Sequence, residues 1–85
     1  MSQEIHETVT QFIIEILLRR GIKPQPSPDT SLVDSGLIDS SSIVMLVGKL
    51  EKAFGISISM GDLTVDNFDT IQLIGEFVRL KLAAE

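Results

Sequence analysis

Apolar residues return at steps of three and four along three separate stretches of this chain, and that spacing restricts the fold more than any other feature. Ile5, Val9, Phe12, Ile13, Ile16 and Leu17 form the first stretch. On a turn of 3.6 residues they make one broad stripe, so residues from Gln3 to Arg20 are predicted to form an amphipathic helix. Gly21 can take the left-handed conformation that ends a helix. Arg19 and Arg20 suit the negative end of its dipole, and Pro24, Pro26 and Pro28 forbid regular continuation. The second stretch runs from Ser40 to Phe54 through Ile43, Val47, Leu50 and Phe54, with Val44 and Leu46 widening the stripe, and Gly55 closes it. Asp39 stands directly before it as the expected N-cap. The third is predicted to open with Asp69 as N-cap, Gln72 as its capping-box partner and Phe68 with Leu73 as a hydrophobic staple. Its apolar positions are Ile71, Ile74 and Val78, in line with Lys81, flanked by Leu73, Phe77 and Leu80, while Gly75 costs helix propensity or allows close packing.

Between these helices the chain is polar and punctuated. The first connector, Gly21 to Ile38, is long for a compact domain. It also holds Leu32, Val33, Leu37 and Ile38, with Gly36 allowing a tight turn, and is predicted to be an ordered crossover lying across the helices. After Gly55, Ile56-Ser57-Ile58-Ser59 alternates like a strand but has no partner run, so it is expected to be an extended connector. Ser59 or Asp62 is placed to start a short turn, and Asp66-Asn67-Phe68 to form another. The predicted fold class is all-α: a bundle of three main helices with a short third helical turn and a long first loop. At 85 residues, the expectation is one domain over residues 1–85. With no cysteine to form a disulfide or a thiolate metal site, packing of Ile, Leu and Val must hold it.

The formal net charge is −5 and is unevenly placed: residues 29–39 and 54–70 each carry −3, whereas residues 40–53 carry +1. An acidic chain repels a phosphate polyanion, so nucleic acid is not an expected partner. The most apolar run, Phe12 to Leu18, is interrupted by Glu15 and followed by two arginines, and no basic segment opens the chain. Neither a membrane span nor a secretory signal is expected, which makes the cytoplasm the expected location.

Few residues are equipped for chemistry. His6 is the sole histidine and is expected to be solvated. With no second imidazole and no cysteine there is no triad and no zinc set, so no metal site is expected. The acids between Gly61 and Asp69 lack the ligand alternation and the sixth-position glycine of a calcium loop. Every glycine is isolated, which leaves no phosphate cradle. What remains is the run Asp34-Ser35-Gly36-Leu37-Ile38-Asp39-Ser40-Ser41-Ser42-Ile43-Val44, in which a serine opens a helix directly after an acid. Capping explains an isolated Asp-Ser pair. A serine in that position is nevertheless also exposed, and an attached phosphodiester would lie against free backbone N–H groups and the positive end of the dipole.

In this run, continued by Leu50-Glu51-Lys52-Ala53-Phe54-Gly55-Ile56 and Asp69-Thr70-Ile71, the chain resembles the acyl and peptidyl carrier proteins. Their pattern is an acid, a glycine, an apolar residue and then Asp-Ser opening the second helix, and the resemblance covers nearly everything from Asp29 onward. It implies that Ser40 accepts 4′-phosphopantetheine from coenzyme A. The arm's thiol would then hold an acyl or aminoacyl group as a thioester and shuttle it between biosynthetic enzymes. It further implies a separate phosphopantetheinyl transferase that uses Mg²⁺, with Asp39 contributing to metal or transferase contact, and a carrier that is not itself an enzyme. Leu37, Ser41 and Met45 are the expected partner-facing positions, although core packing is an equal reading of Met45. Expected partners are an acyl- or amino-acid-activating ligase and downstream acyl-transfer enzymes, met by a monomer.

Two departures qualify the resemblance. Ser41 and Ser42 follow where the family often has Leu or Met, leaving three adjacent hydroxyls, of which Ser40 alone follows the acid. The second helix also lacks the acids that fatty-acid carriers present to basic enzymes. It looks more like the helix of stand-alone D-alanyl, aminoacyl or peptidyl carriers. The alternative is a non-catalytic helical interaction adaptor with a carrier-like fold, holding a partner helix in an apolar groove beside Met45.

Overall fold

A computed structural model of the chain describes residues 2–23 and 27–84, so Pro24 and Pro26 of the expected helix-breaking trio lie outside the described residues. Among the described residues four α-helices follow one another: α1 (Ser2–Arg19), α2 (Ser40–Phe54), α3 (Val65–Phe68) and α4 (Ile71–Ala84), with a 3-10 turn at Met60–Asp62 before α3. No strand occurs among the described residues, and Ile56 to Ser59 runs as an extended connector.

The first stripe predicts its helix well. Ile5, Val9, Ile13, Ile16 and Leu17 are all buried, and α1 packs chiefly against α4 and α2. At its end Gly21 has φ +75°, its N–H donating to the Leu18 carbonyl (3.0 Å) and that of Ile22 to Leu17 (2.9 Å). This is a Schellman ending, sealed by Ile22 folding back onto the core. Gly55 ends α2 similarly, at φ +66°, donating to the Glu51 carbonyl at 2.9 Å.

On α2 the stripe is rotated from the expected one. Leu46 and Leu50 form its buried centre with Ser42, Ile43 and Phe54 pack at its margin, and Val44 is 69% exposed. Val44 therefore belongs to the outer face: an apolar side chain beside a stripe does not widen it unless a neighbouring element reaches that far. The ion pair of Lys49 with Glu15 (3.3 Å), with the Lys49 ammonium 5.5 Å from the Phe12 ring centre, ties α2 to α1.

The entry to α4 also differs from the expected one. Asp69 was the predicted N-cap, yet α4 begins at Ile71 and it is the Thr70 hydroxyl that accepts the N–H of Leu73, at 3.0 Å. The predicted staple fails with it, because Leu73 is exposed whereas Phe68 is buried and stacks at a tilt on Phe77, 5.3 Å between centroids. Asp69 is used on the long first connector instead. Its carboxylate accepts from the Ser31 hydroxyl (2.8 Å) and the Val33 N–H (3.2 Å), and its carbonyl accepts from Leu32 N–H at 2.6 Å. The Gln72 N–H donates to the Pro28 carbonyl at 3.0 Å.

These bonds turn the first connector into the ordered crossover its apolar residues predict. Leu32 and Ile38 are buried in the common core, Leu37 packs at its margin and Gly36 turns the chain at φ +77°. Full burial of one such aliphatic side chain is worth about 1.5–3 kcal/mol, enough to offset part of the ordering cost of the loop.

His6 is not the solvated residue expected of it. It is half-buried between α1 and α4, where a Cβ added at the buried Gly75 would come within 2.7 Å of the imidazole Nε2. Gly75 is thus present for close packing, the second of the two roles its position allows.

Candidate functional site

The buried Ile38 fixes where the first connector stops, and the next residue leaves the core. Asp39 has extended backbone angles (φ −104°, ψ −176°), and its Oδ1 accepts the N–H of Ser42 at 2.9 Å, so it caps α2 as predicted. Ser40 is then the first helical residue and is exposed.

The three adjacent hydroxyls are not equivalent. Ser40 and Ser41 face solvent, whereas Ser42 is 5% exposed and its N–H is taken up by the cap. Ser42 is closed to a modifying enzyme by burial.

The second oxygen of Asp39 holds a residue from another helix end. Arg20, just beyond α1, places Nη1 2.5 Å from Asp39 Oδ2, with both side chains partly open to solvent. The backbone and hydroxyl of Ser42, followed by Arg20, lower the Asp39 carboxyl from 3.8 to about 2, so it is ionised at neutral pH. Sequence reasoning assigned Arg20 only to the end of α1. Its role next to Asp39 arises because α1 and α2 run antiparallel, which brings the end of one helix to the start of the other. Two adjacent arginines at the close of a helix whose partner opens on an acid were the available signal.

Of the other predicted positions, Leu37 is half-buried against the core, Ser41 is open, and Met45 lies on the outer face of α2, outside the core cluster. The outer face is completed by Val44, Gly48 and Lys52. Glu51, which would make it more acidic, turns away to accept the Ile58 N–H at 2.9 Å. Among the described residues no group of His, Asp and Glu could hold a metal ion, and no helix is long and apolar enough to cross a membrane.

A groove of about 510 Å³, lined by Glu4, Ile5, Thr8, Phe54, Arg79 and Leu82 among others, opens where α1 begins and α2 and α4 end. It lies one α2 length, about 21 Å, from Ser40. The groove and the exposed serine are therefore separate features.

An exposed hydroxyl at a helix opening, flanked by a carboxylate of fixed orientation, can accept a covalent group that extends into solvent. A family model described as "Phosphopantetheine attachment site" matches residues 8–78, which takes in the greater part of all four helices. Comparison with individually curated proteins gives no significant match.

Proposed function

Because the chain belongs to the phosphopantetheine attachment family, whose members carry covalent 4′-phosphopantetheine, we propose that Ser40 is the residue that receives the group. The observation that carries this reading is the combination of an exposed first helical residue with a preceding carboxylate held on both oxygens. The residues fit the group: Ser40 is exposed at the helix opening, and Ser42 is buried. Asp39, ionised and oriented, is the group that would meet the Mg²⁺ or the basic residues of a phosphopantetheinyl transferase. When bound, the arm supplies a thiol, which this cysteine-free chain lacks, to hold an acyl or aminoacyl group as a thioester.

In this reading the whole chain acts as one carrier domain, not an enzyme, and works in the cytoplasm as a monomer visiting an activating ligase and then acyl-transfer enzymes. Its cargo is proposed to be aminoacyl or D-alanyl, not a fatty acyl chain. The support is the outer face of α2, where Ser41, Val44, Met45, Gly48 and Lys52 offer apolar contact and a single cation instead of the acidic helix that basic fatty-acid enzymes meet. Leu37, Ser41 and Met45 are the positions proposed to touch those partners. The exposed Val44 and Met45 would equally serve an adaptor without a cofactor, and partner binding that survives in Ser40→Ala without any modification of the native chain would favour that reading.

Incubation of the apo protein with coenzyme A and a broad-specificity transferase tests the assignment by mass. One phosphopantetheine is expected on the native chain, on Ser41→Ala and on Ser42→Ala, and none on Ser40→Ala. A modified Ser40→Ala protein would contradict it. Offering the modified protein to fatty-acyl and amino-acid ligases tests the cargo, with charging by the amino-acid ligase expected and charging by the fatty-acyl ligase alone counting against it.

A further inference from the structure

The contact between Arg20 and Asp39 is not explained by stability, since an ion pair this open to solvent contributes little. Nor is it needed for capping, which uses the other carboxylate oxygen. What it does is hold a guanidinium on the side chain of the residue that immediately precedes Ser40. A guanidinium is a planar fork with N–H groups on three nitrogens, and only Nη1 is recorded on Asp39. Such a fork can serve two anions at once, which an ammonium does less well.

A phosphodiester on Ser40 would introduce a permanent negative charge beside the Asp39 carboxylate. Among the described residues Arg20 is the cation paired with that carboxylate. Lys49 and Lys52 stand about two and a half and about three turns along α2 from Ser40, with Lys49 committed to Glu15. We propose that Arg20 is the phosphodiester-binding residue of the modified protein, its guanidinium bridging the Asp39 carboxylate and the phosphate on Ser40. The root of the arm is then held against the gap between α1 and α2 while the remainder swings. This inference rests on Ser40 being the attachment residue, and it adds what anchors the group once attached.

The test uses modified protein, its added mass verified first, with native chain, Arg20→Gln and Arg20→Lys compared by phosphorus and side-chain nitrogen NMR. Arg20 is exposed and beyond the helix, so the variants keep the fold, which backbone spectra check. On modification of the native chain the Arg20 guanidinium resonances are expected to shift while those of neighbouring Arg19 stay in place. The phosphorus resonance is expected to move in Arg20→Gln and to return part of the way in Arg20→Lys. A phosphorus resonance identical in all three proteins, or Arg20 signals unmoved by modification, would overturn the proposal. Absence of any added mass on Ser40 of the native chain overturns the attachment reading itself, and is seen before any spectrum is taken.

Discussion

Two connectors in this chain carry the same charge and use it differently. Residues 29–39 and residues 54–70 each contain three aspartates and no basic residue. In the second, Asp62 accepts from the Ser59 N–H (3.0 Å) and pairs with Lys81 (2.9 Å), while Asp69 fastens the first connector to the α3–α4 junction. Those two carboxylates serve the frame. In the first connector the anchors are apolar, Leu32 and Ile38, and the last carboxylate is turned outward beside an exposed serine with an arginine across it. An equal charge per segment thus conceals one connector in which Asp62 and Asp69 bind the fold together and one whose buried residues set an acid at the surface, where it caps α2 and meets Arg20.

Removing the apolar anchor should have the largest effect. Leu32→Ala is expected to destabilise the protein by about 2–5 kcal/mol, the range for an aliphatic side chain lost from a filled core, measured by urea unfolding. Asp69→Ala leaves the Val33 N–H and the Ser31 hydroxyl without their acceptor and should cost about 1–3 kcal/mol. Its signature is faster amide exchange in residues 31–33 with α4 intact. Thr70→Ala should cost about 0.5–2 kcal/mol through the lost cap and show the converse, fraying the start of α4 while residues 31–33 stay protected. If the two variants gave the same exchange pattern, the division of labour between Asp69 and Thr70 would be wrong.

The smallest expected effect concerns acid stability and compares one carboxylate from each connector. Asp39 and Asp62 both have lowered folded-state values, Asp39 mainly through the Ser42 backbone and Asp62 mainly through that of Ser59, with Lys81 adding. A depressed carboxyl stabilises the folded state fully above its unfolded value of 3.8 and loses that contribution as pH falls, for Asp39 down to about 2. Asp39→Asn keeps a capping side chain but removes the titration, so the decline in unfolding midpoint between pH 4 and pH 2 should become shallower. Asp62→Asn should flatten the same decline by a separate, additive amount. An unchanged acid profile in both variants would show that neither contact persists in solution.

Much of this arrangement was legible because it is local. The bounds of α2, the glycine endings at Gly21 and Gly55 and the Asp39 cap depend on neighbouring residues alone, and all agree with the structure. The misreadings share a cause, which is partners distant in sequence. Asp69 and Thr70 are both capping residues, and the choice between them is made by Ser31 and Val33, thirty-six or more residues away. Val44 looks like core until the outer side of α2 is found uncovered, and His6 looks solvated until α4 brings Gly75 against it. In the candidate site, the Asp39 cap and the exposed Ser40 at the helix opening could be read from the run, whereas the Arg20 contact required knowledge that α1 and α2 are antiparallel.

The most direct test of the central claim is localisation of the added group by tandem mass spectrometry, after the native apo chain has been treated with transferase and coenzyme A. The account predicts one phosphopantetheine per chain on a peptide whose fragments place it on Ser40. Fragments that place it on Ser41, or a chain that leaves the reaction unmodified, would contradict it.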